Sequence, residues 1–232
     1  MPYYQHYSFD LWLTLIKSNP AFKAERAKYF HTHHNAFHKS EEDVAKIFRQ
    51  VDLMVNAVNE KSGKNIDADE MYLMVLNFIH DGNLDLDDVD TVHLHLKMEE
   101  LLFQYPPALY SSVTFSSLQH LKQNSESTFS LLSNTGYITG KTLRKVLALH
   151  KLDDFFDFQL YSDEVGMSKP NRDFFKLMLT NIDICRPGRS APLGDIIHIG
   201  DNPKNDIVPA TAIGIDSLLI NSNKKTILNL IN

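Results

Sequence analysis

The sequence predicts an α/β protein with a doubly wound parallel-sheet core and an inserted α-helical domain. Three observations support this fold class. After residue 111, short apolar strands alternate with helices, the pattern typical of βαβ units. Residues 17–110 show only helical periodicity. Polar residues, among them Asp10, Ser133 and Asp201, directly follow predicted strands.

The composition is that of a globular protein with room for one domain and a large insertion. Of 232 residues, 43% are hydrophobic and 22% are charged. The net charge of −6, without a lysine or arginine cluster, argues against nucleic-acid binding. The single cysteine, Cys185, cannot form an internal disulfide. Because the chain has no signal-like start and no apolar run near the roughly 18 residues of a membrane helix, we expect a cytoplasmic protein without a membrane partner. Nothing indicates an oligomeric state.

The insert is predicted to contain helices over residues 41–62, 68–80 and 86–104. The clearest begins after Ser40, an N-cap candidate with Asp43 in the capping-box position, and ends at Gly63. Its apolar residues are spaced by three and four, as a buried helical stripe requires. Pro106 and Pro107 close the region. We therefore predict a core domain over residues 1–16 and 111–232, and a helical domain over 17–110.

The core is predicted to contain five strands, because five short apolar runs are bounded by turns or helices. The strands are expected at 3–9, 128–132, 156–161, 195–199 and 216–219, and helices at 115–123, 141–150, 170–179 and 206–212. In open parallel sheets, ligands bind at the carboxyl ends of the strands. Those ends carry Asp10, Ser133, the turn before Lys169, and Asp201.

Four motifs follow one another at these strand ends. They are FDLWLTL at residues 9–15, LLSN at 131–134, SKP at 168–170 and IHIGDNPKND at 197–206. Each is weak alone, but the four in this order resemble the haloacid dehalogenase-like superfamily. The resemblance covers about residues 7–15 and 118–220 and not the insert. It implies a Rossmann-like core, and the insert's position between the first two motifs matches the family's helical cap, which closes over the site.

The resemblance implies a nucleophile and a magnesium site. Asp10 would attack phosphorus or carbon and form a covalent intermediate. Mg²⁺, which prefers hard oxygen ligands, would be held by Asp10, the backbone carbonyl of Trp12, and Asp201. Asn205 and Asp206 would support the site. Asn205 and Asp206 could equally be only a helix N-cap, and the two roles are compatible.

The resemblance also implies a phosphate site. Ser133 and Lys169 would act as catalytic groups that bind the transferring phosphoryl oxygens, and Thr14 and Asn134 would complete the site. Ser133 and Asn134 could instead merely begin a turn, and Lys169 could be an exposed residue ahead of a helix that starts with proline. The four motifs together favour the functional interpretation. The expected partner is a small phosphorylated substrate.

Two residues depart from the pattern of the family's phosphatases. Trp12 stands where a second Asp usually acts as general acid and base, and Leu13 stands where glycine is usual. Tryptophan cannot transfer the proton, a loss worth on the order of 10²–10⁴ in rate. Leucine should stiffen the loop. The resemblance still implies a metal site, because the metal would bind only the backbone carbonyl of Trp12.

Trp12 leaves other functions open. Haloacid dehalogenases of the family usually have an aromatic residue there, but they need no metal and typically lack the Gly-Asp that is intact at Gly200 and Asp201. We therefore favour a Mg²⁺-dependent phosphatase over a 2-haloacid dehalogenase. The third hypothesis is a pseudo-phosphatase that binds a phosphometabolite or a partner protein. A phosphonatase-like enzyme ranks low, since the candidate Schiff-base lysines (Lys17, Lys23 and Lys28) have no distinguishing context.

Histidines recur near residue 35. If this stretch is helical, His34 and His38 lie one turn apart on one face, a spacing that can bind a transition metal. No carboxylate or cysteine completes the set, so we interpret the pair as part of a polar helix face.

Overall fold

The computed structural model describes residues 4–85, 89–123, 126–189 and 191–231. Its strands are β1 (His6–Phe9), β2 (Ile16–Lys17), β3 (Ala108–Leu109), β4 (Thr128–Ser133), β5 (Phe158–Tyr161), β6 (Ile196–Gly200) and β7 (Asp216–Leu219). Five of them form one parallel sheet in the order β5-β4-β1-β6-β7. The first strand is central, and the strand order reverses beside it. The predicted doubly wound fold class is thereby confirmed.

Helices cover the sheet and form the insert. They are α1 (Pro20–His33), α2 (Glu41–Ser62), α3 (Ala68–Ile79), α4 (Thr91–Gln104), α5 (Thr114–Gln123), α6 (Gly140–Leu149), α7 (Ser162–Val165), α8 (Arg172–Cys185) and α9 (Val208–Ala212). The first four lie between β2 and β3. Those two short strands pair antiparallel with each other, so the chain enters and leaves the insert side by side. None of the helices in the described ranges is both long and apolar enough to span a membrane.

The insert has its own hydrophobic core. Side chains from α1 to α4 pack together there, including Phe30, Val51, Val75 and Leu94. The clearest predicted helix is present as α2: the Ser40 hydroxyl accepts the Asp43 N–H at 3.1 Å, and Gly63 ends the helix with φ 69°. One core residue, Tyr137, joins this cluster and donates its hydroxyl to the Phe48 carbonyl at 2.9 Å.

Several predicted boundaries were wrong. The helix expected at 170–179 is α8, which continues to Cys185, and the segment expected as one helix at 206–212 is a π-helical turn (Pro203–Ile207) followed by α9. The predicted starts at Tyr3 and Leu86 lie outside the described residues, and α4 begins only at Thr91. No sequence pattern predicts the two-residue strands, because they are too short to show a period.

The predicted helical pair His34 and His38 was also wrong. Helix α1 ends at His33, and His34 is its C-cap. His38 has φ 54°, a left-handed conformation that a helix does not contain. The two imidazoles therefore do not share a helix face.

The register of the sheet aligns the carboxyl ends of the three central strands. Phe9 of β1 pairs with Leu131 of β4 on one side and with Ile199 of β6 on the other. The residue after Phe9 continues the ladder, because the Asp10 N–H donates to the Ile199 carbonyl at 2.8 Å. Strand ends from distant motifs thus meet at one edge of the sheet.

Candidate active site

Asp10 is held by two side chains that the sequence analysis named. Its side chain is nearly buried, at 9% exposure. Lys169 Nζ donates to one carboxylate oxygen at 2.7 Å, and the Thr14 hydroxyl donates to the other at 2.9 Å. Burial raises the pKa of Asp10, as does the nearby Asp206, whereas the Lys169 ammonium and the Thr14 hydroxyl favour the anion. The carboxylate is fixed in place before any substrate arrives.

Lys169 is a buried cation between two acids. Its side chain is 2% exposed, and Nζ donates to Asp10 and to Asp206 at 2.7 Å each. Burial alone lowers the pKa of a lysine, but the charges of these two carboxylates outweigh it and raise the pKa of Lys169. The ammonium therefore keeps its proton at neutral pH and supplies fixed positive charge.

The second motif positions Lys169 from the side. The Lys169 N–H donates to Asn134 Oδ1 at 2.7 Å, and Asn134 Nδ2 donates back to the Lys169 carbonyl at 3.0 Å. This paired bond uses both polar atoms of the Asn134 side chain. Ser133 is fully buried at the end of β4 and donates its hydroxyl to the Asn134 carbonyl at 3.0 Å. The structure thus brings both residues to the strand end that the sequence predicted.

The fourth motif folds tightly around Asp206. The Asn202 N–H donates to Asp206 Oδ2 at 3.0 Å, across the turn that follows β6. A Cβ atom on Gly200 would lie 2.2 Å from the Asp206 carboxyl carbon, so only glycine permits this approach. Burial disfavours the Asp206 anion, but Lys169 and His198 outweigh burial and hold the pKa of Asp206 well below its usual range.

Three carboxylates converge at this edge. Asp10, Asp201 and Asp206 each offer an oxygen, and these oxygens lie within 4.8 Å of one another. Burial, followed by the charges of Asp10 and Asp206, raises the pKa of Asp201 from 3.8 to about 7. With Lys169 as the neighbouring cation, the three acids leave an excess of two negative charges when all are ionised. A divalent cation with oxygen ligands fits this donor set and would remove the repulsion.

A family model for haloacid dehalogenase-like hydrolases matches residues 4–214. The chain belongs to this family. Its fold is the family's fold, and the chain is a hydrolase. The predicted resemblance, made from four short motifs, is confirmed over a much longer stretch than the motifs themselves.

Individual relatives and solved structures are distant. The chain is 29% identical over 191 residues to the glyceraldehyde 3-phosphate phosphatase of Methanothermobacter thermautotrophicus, covering 77% of this chain and 78% of that one. The magnesium-bound hydrolase YfnB of Bacillus subtilis superposes with a TM-score of 0.71 at 19% identity, over 96% of this chain and 91% of the other. The 2-haloacid dehalogenase of Pseudomonas syringae superposes with a TM-score of 0.62 at 20% identity, over 96% and 89%. These two structures share the fold.

One buried residue behind the candidate site was not indicated by the sequence. His198 on β6 lies 2.9 Å from the Ser8 hydroxyl through Nδ1 and 3.3 Å from Asp206 Oδ1 through Nε2. Burial lowers the pKa of His198 despite the adjacent carboxylate. The available signal was a histidine inside an apolar strand, where every polar atom needs a partner. His198 positions Asp206 from below the strand end.

Sequence reasoning also missed the residues that the insert brings to the site. The end of α2 and the loop after it contact the third and fourth motifs. Glu60 accepts a hydrogen bond from Asn205 Nδ2 at 3.1 Å and pairs with the Lys204 ammonium. Asn65 Oδ1 accepts from the Ser162 hydroxyl at 2.7 Å and from the Ser168 hydroxyl at 3.3 Å. Composition and periodicity carry no signal for such contacts between distant segments.

The two departures from the family pattern lie beside Asp10. Trp12 is half-buried and packs against the core of the sheet domain. Leu13 has φ 59°, the left-handed region in which glycine is unstrained and leucine is not. The Asn221 side chain donates to the carbonyls of Leu13 and Thr14 at 2.8 and 3.1 Å. The loop therefore keeps a glycine-type conformation although leucine occupies the position.

Proposed function

We propose that the chain is a Mg²⁺-dependent phosphatase that acts on a small phosphorylated metabolite through an aspartyl-phosphate at Asp10. The observation that carries the proposal is the charge arrangement at the strand ends. Three carboxylates face one buried ammonium, and burial together with the charges of Asp10 and Asp206 raises the pKa of Asp201 to about 7. A site for a metal and a phosphate dianion needs such an excess of oxygen ligands with fixed positive charge beside it.

The proposed metal ligands are Asp10, the backbone carbonyl of Trp12, and Asp201. When bound, the ion supplies positive charge that lets a carboxylate approach an anionic phosphate. Asn205 supports this assignment, because its Oδ1 is buried without a hydrogen-bond partner among the described residues. Asp206 holds Lys169 and completes the acidic cluster.

The chain's own residues then perform the first displacement. The Asp10 carboxylate attacks phosphorus, forms the O–P bond, and the leaving oxygen departs with the bonding electrons. Lys169 and Ser133 donate to the phosphoryl oxygens as charge shifts toward them. We assign Asn134 a positioning role through the Lys169 backbone, and Thr14 the same role through the second oxygen of Asp10. Water then cleaves the aspartyl-phosphate.

Trp12 sets the expected substrate range. The side chains bonded to Asp10 in the described part of the chain are Thr14 and Lys169, and Lys169 is a poor acid at neutral pH because its pKa is raised. Nothing in this set protonates the leaving oxygen. Weakly basic leaving groups, such as those of aryl and acyl phosphates, should therefore react faster than alkyl phosphates.

The test compares leaving groups in the wild type and in Trp12→Asp, with Trp12→Phe as the control that removes the indole without adding an acid. Substrates are an aryl phosphate and glyceraldehyde 3-phosphate, an alkyl phosphate suggested by the names of the relatives. We expect Trp12→Asp to raise alkyl turnover by on the order of 10²–10⁴ and aryl turnover much less. Trp12→Phe should not raise alkyl turnover relative to aryl turnover.

Other outcomes are also decisive. Equal wild-type rates for alkyl and aryl phosphates would show that another residue supplies the proton. Calorimetry should detect Mg²⁺ binding that Asp201→Ala weakens, and equal binding by both proteins would refute the metal site. Mg²⁺ binding without turnover of either substrate would favour the pseudo-phosphatase hypothesis.

A 2-haloacid dehalogenase is the second candidate, and the aromatic residue at Trp12 favours it. In that reaction Asp10 would attack carbon and halide would leave without protonation, so no acid is needed. The intact Asp201 argues against it, because an unused carboxylate beside Asp10 adds repulsion. Release of halide from a 2-haloacid in the presence of a chelator would establish this alternative.

We also propose that residues 17–110 act as a cap domain over the site. The paired strands β2 and β3 connect it to the core, and Glu60 and Asn65 contact the motif residues Asn205 and Ser168. Opening about hinges near residues 15–19 and 106–111 would break those contacts and admit substrate. Ligand-free and ligand-bound structures should differ by rigid rotation of the insert.

A further inference from the structure

A second cluster of titratable side chains lies in the insert, at the end of α3 opposite to the loop whose Asn65 contacts Ser168. A cavity of about 380 Å³ opens there between α1, α3 and α4. Four imidazoles line it, those of His33, His34, His80 and His93, together with apolar side chains such as Leu76. The proposed phosphatase chemistry uses none of these residues.

His34 offers an unused nitrogen in this cavity. Its Nε2 is buried and has no hydrogen-bond partner among the described residues. The rings of Tyr29 and Phe30 lie 5.7 and 5.3 Å from its ring and hold it in place. A neutral imidazole with such an unshared nitrogen is the form of histidine that binds metals.

His80 offers a second nitrogen, oriented by the first histidine. Its Nε2 lies 3.0 Å from the His34 carbonyl oxygen. Because a carbonyl can only accept, Nε2 must carry the proton, and in the neutral ring the lone pair is on Nδ1. Histidines that bind metals commonly donate their other N–H to a backbone carbonyl in this way.

We infer that this cavity is a binding site for a transition-metal cation that prefers imidazole ligands, such as Zn²⁺, with His34 Nε2 and His80 Nδ1 as its inner ligands. The exposed His33 and His93 at the rim supply the remaining nitrogens. Within the described ranges, only the three acids of the active site already place three ligand atoms within 4.8 Å of one another. Capture here therefore requires the rim side chains to turn inward, which exposed histidines can do.

The bound ion would connect the end of α1, the end of α3 and the start of α4. It would be distinct from the proposed Mg²⁺ site by chemistry as well as by place. Nitrogen ligands select zinc, nickel or copper, whereas the three carboxylates at the sheet suit magnesium. Excess Mg²⁺ therefore occupies the acidic site without blocking the imidazoles.

The test is Zn²⁺ titration of the full chain by calorimetry in excess Mg²⁺. The wild type should bind about one Zn²⁺, and His34→Ala and His80→Ala should each weaken binding at least about tenfold. His38→Ala is the matched control, since His38 is exposed in the neighbouring loop and does not line the cavity. It should bind as the wild type does. Zn²⁺ should also raise the Tm of the wild type and of His38→Ala more than that of the two cavity variants.

Circular dichroism first establishes that each variant is folded, and His34→Gln replaces His34→Ala if the latter is not. Wild-type Zn²⁺ affinity in both cavity variants would overturn the inference. So would binding that is lost only in Asp201→Asn, which would assign the zinc to the acidic site. Failure of the phosphatase proposal would leave the zinc measurement unaffected, because the two sites share no residue.

Discussion

Replacement of Asp201 by asparagine should stabilise the metal-free protein. Asp201 lies near Asp10 and Asp206, and burial and these two charges raise its pKa from the ordinary 3.8 to about 7. A raised pKa of an acid means that ionisation destabilises the folded state. This destabilisation is absent below about pH 4, where Asp201 is protonated in both the folded and the unfolded state. It grows as the pH rises toward 7, and it is complete above 7.

The magnitude follows from the size of the rise. A change from 3.8 to about 7 corresponds to about 4 kcal/mol if fully expressed. Asp201 is only half-buried, so solvent screening reduces this figure, and we expect about 2 kcal/mol. Asp201→Asn keeps the shape of the side chain and removes the charge. At pH 8 the metal-free variant should therefore unfold with a free energy about 2 kcal/mol higher than that of the wild type.

Urea denaturation at pH 8 and pH 5, with chelator or with Mg²⁺, measures this effect. The gain should shrink at pH 5, and Mg²⁺ should reverse the order, because it stabilises only the protein that binds it, by about 2.7 kcal/mol at a hundred times its Kd. Asp154→Asn, at an exposed acid outside the site, should show neither effect. A metal-free Asp201→Asn protein less stable than the wild type at pH 8 would refute the repulsion argument.

Two glycine substitutions test backbone features of the site. Gly200→Ala would place a Cβ 2.2 Å from the Asp206 carboxyl carbon, so we expect a loss of about 1–3 kcal/mol in unfolding free energy together with loss of turnover, whereas Gly194→Ala, with open space around it, should be neutral. Leu13→Gly should relieve about 1–2 kcal/mol of left-handed strain against about 0.5–1 kcal/mol of added chain entropy, for a net gain of up to about 1.5 kcal/mol. Leu15→Gly, at a fully buried side chain, should be strongly destabilising, and urea denaturation would contradict the strain argument if Leu13→Gly behaved likewise.

The sequence predicted the core of the fold because each core element carries a local signal. The strands are apolar runs that end at polar residues, and α2 has a cap at Ser40 and a glycine stop at Gly63. Boundaries failed where no local signal exists. Strands β2 and β3 form only by pairing with each other, and α8 continues because its apolar face remains buried through Ile182.

The candidate site was predictable as a set of residues that meet at one edge of the sheet, and not as a hydrogen-bond network. The order of the motifs was enough to bring Asp10, Lys169 and Asp206 together. The roles of Asn134 and His198 were not predictable, because an amide or an imidazole can serve many purposes until its partners are known. The contact of Glu60 with Asn205 depends on the orientation of α2 relative to the sheet, and tertiary packing determines that orientation.

The paired strands β2 and β3 have a consequence for how such a chain can diversify. The two connections run side by side, one strand spacing of roughly 4.8 Å apart. The insert therefore joins the sheet domain at two neighbouring points, as a turn does. Helices could be lengthened, exchanged or lost beyond that ribbon without moving β1 or the carboxylate that follows it. With substrate choice assigned to the insert, as proposed, hydrolytic chemistry and substrate choice would be encoded in separable stretches of the chain, free to change at different rates.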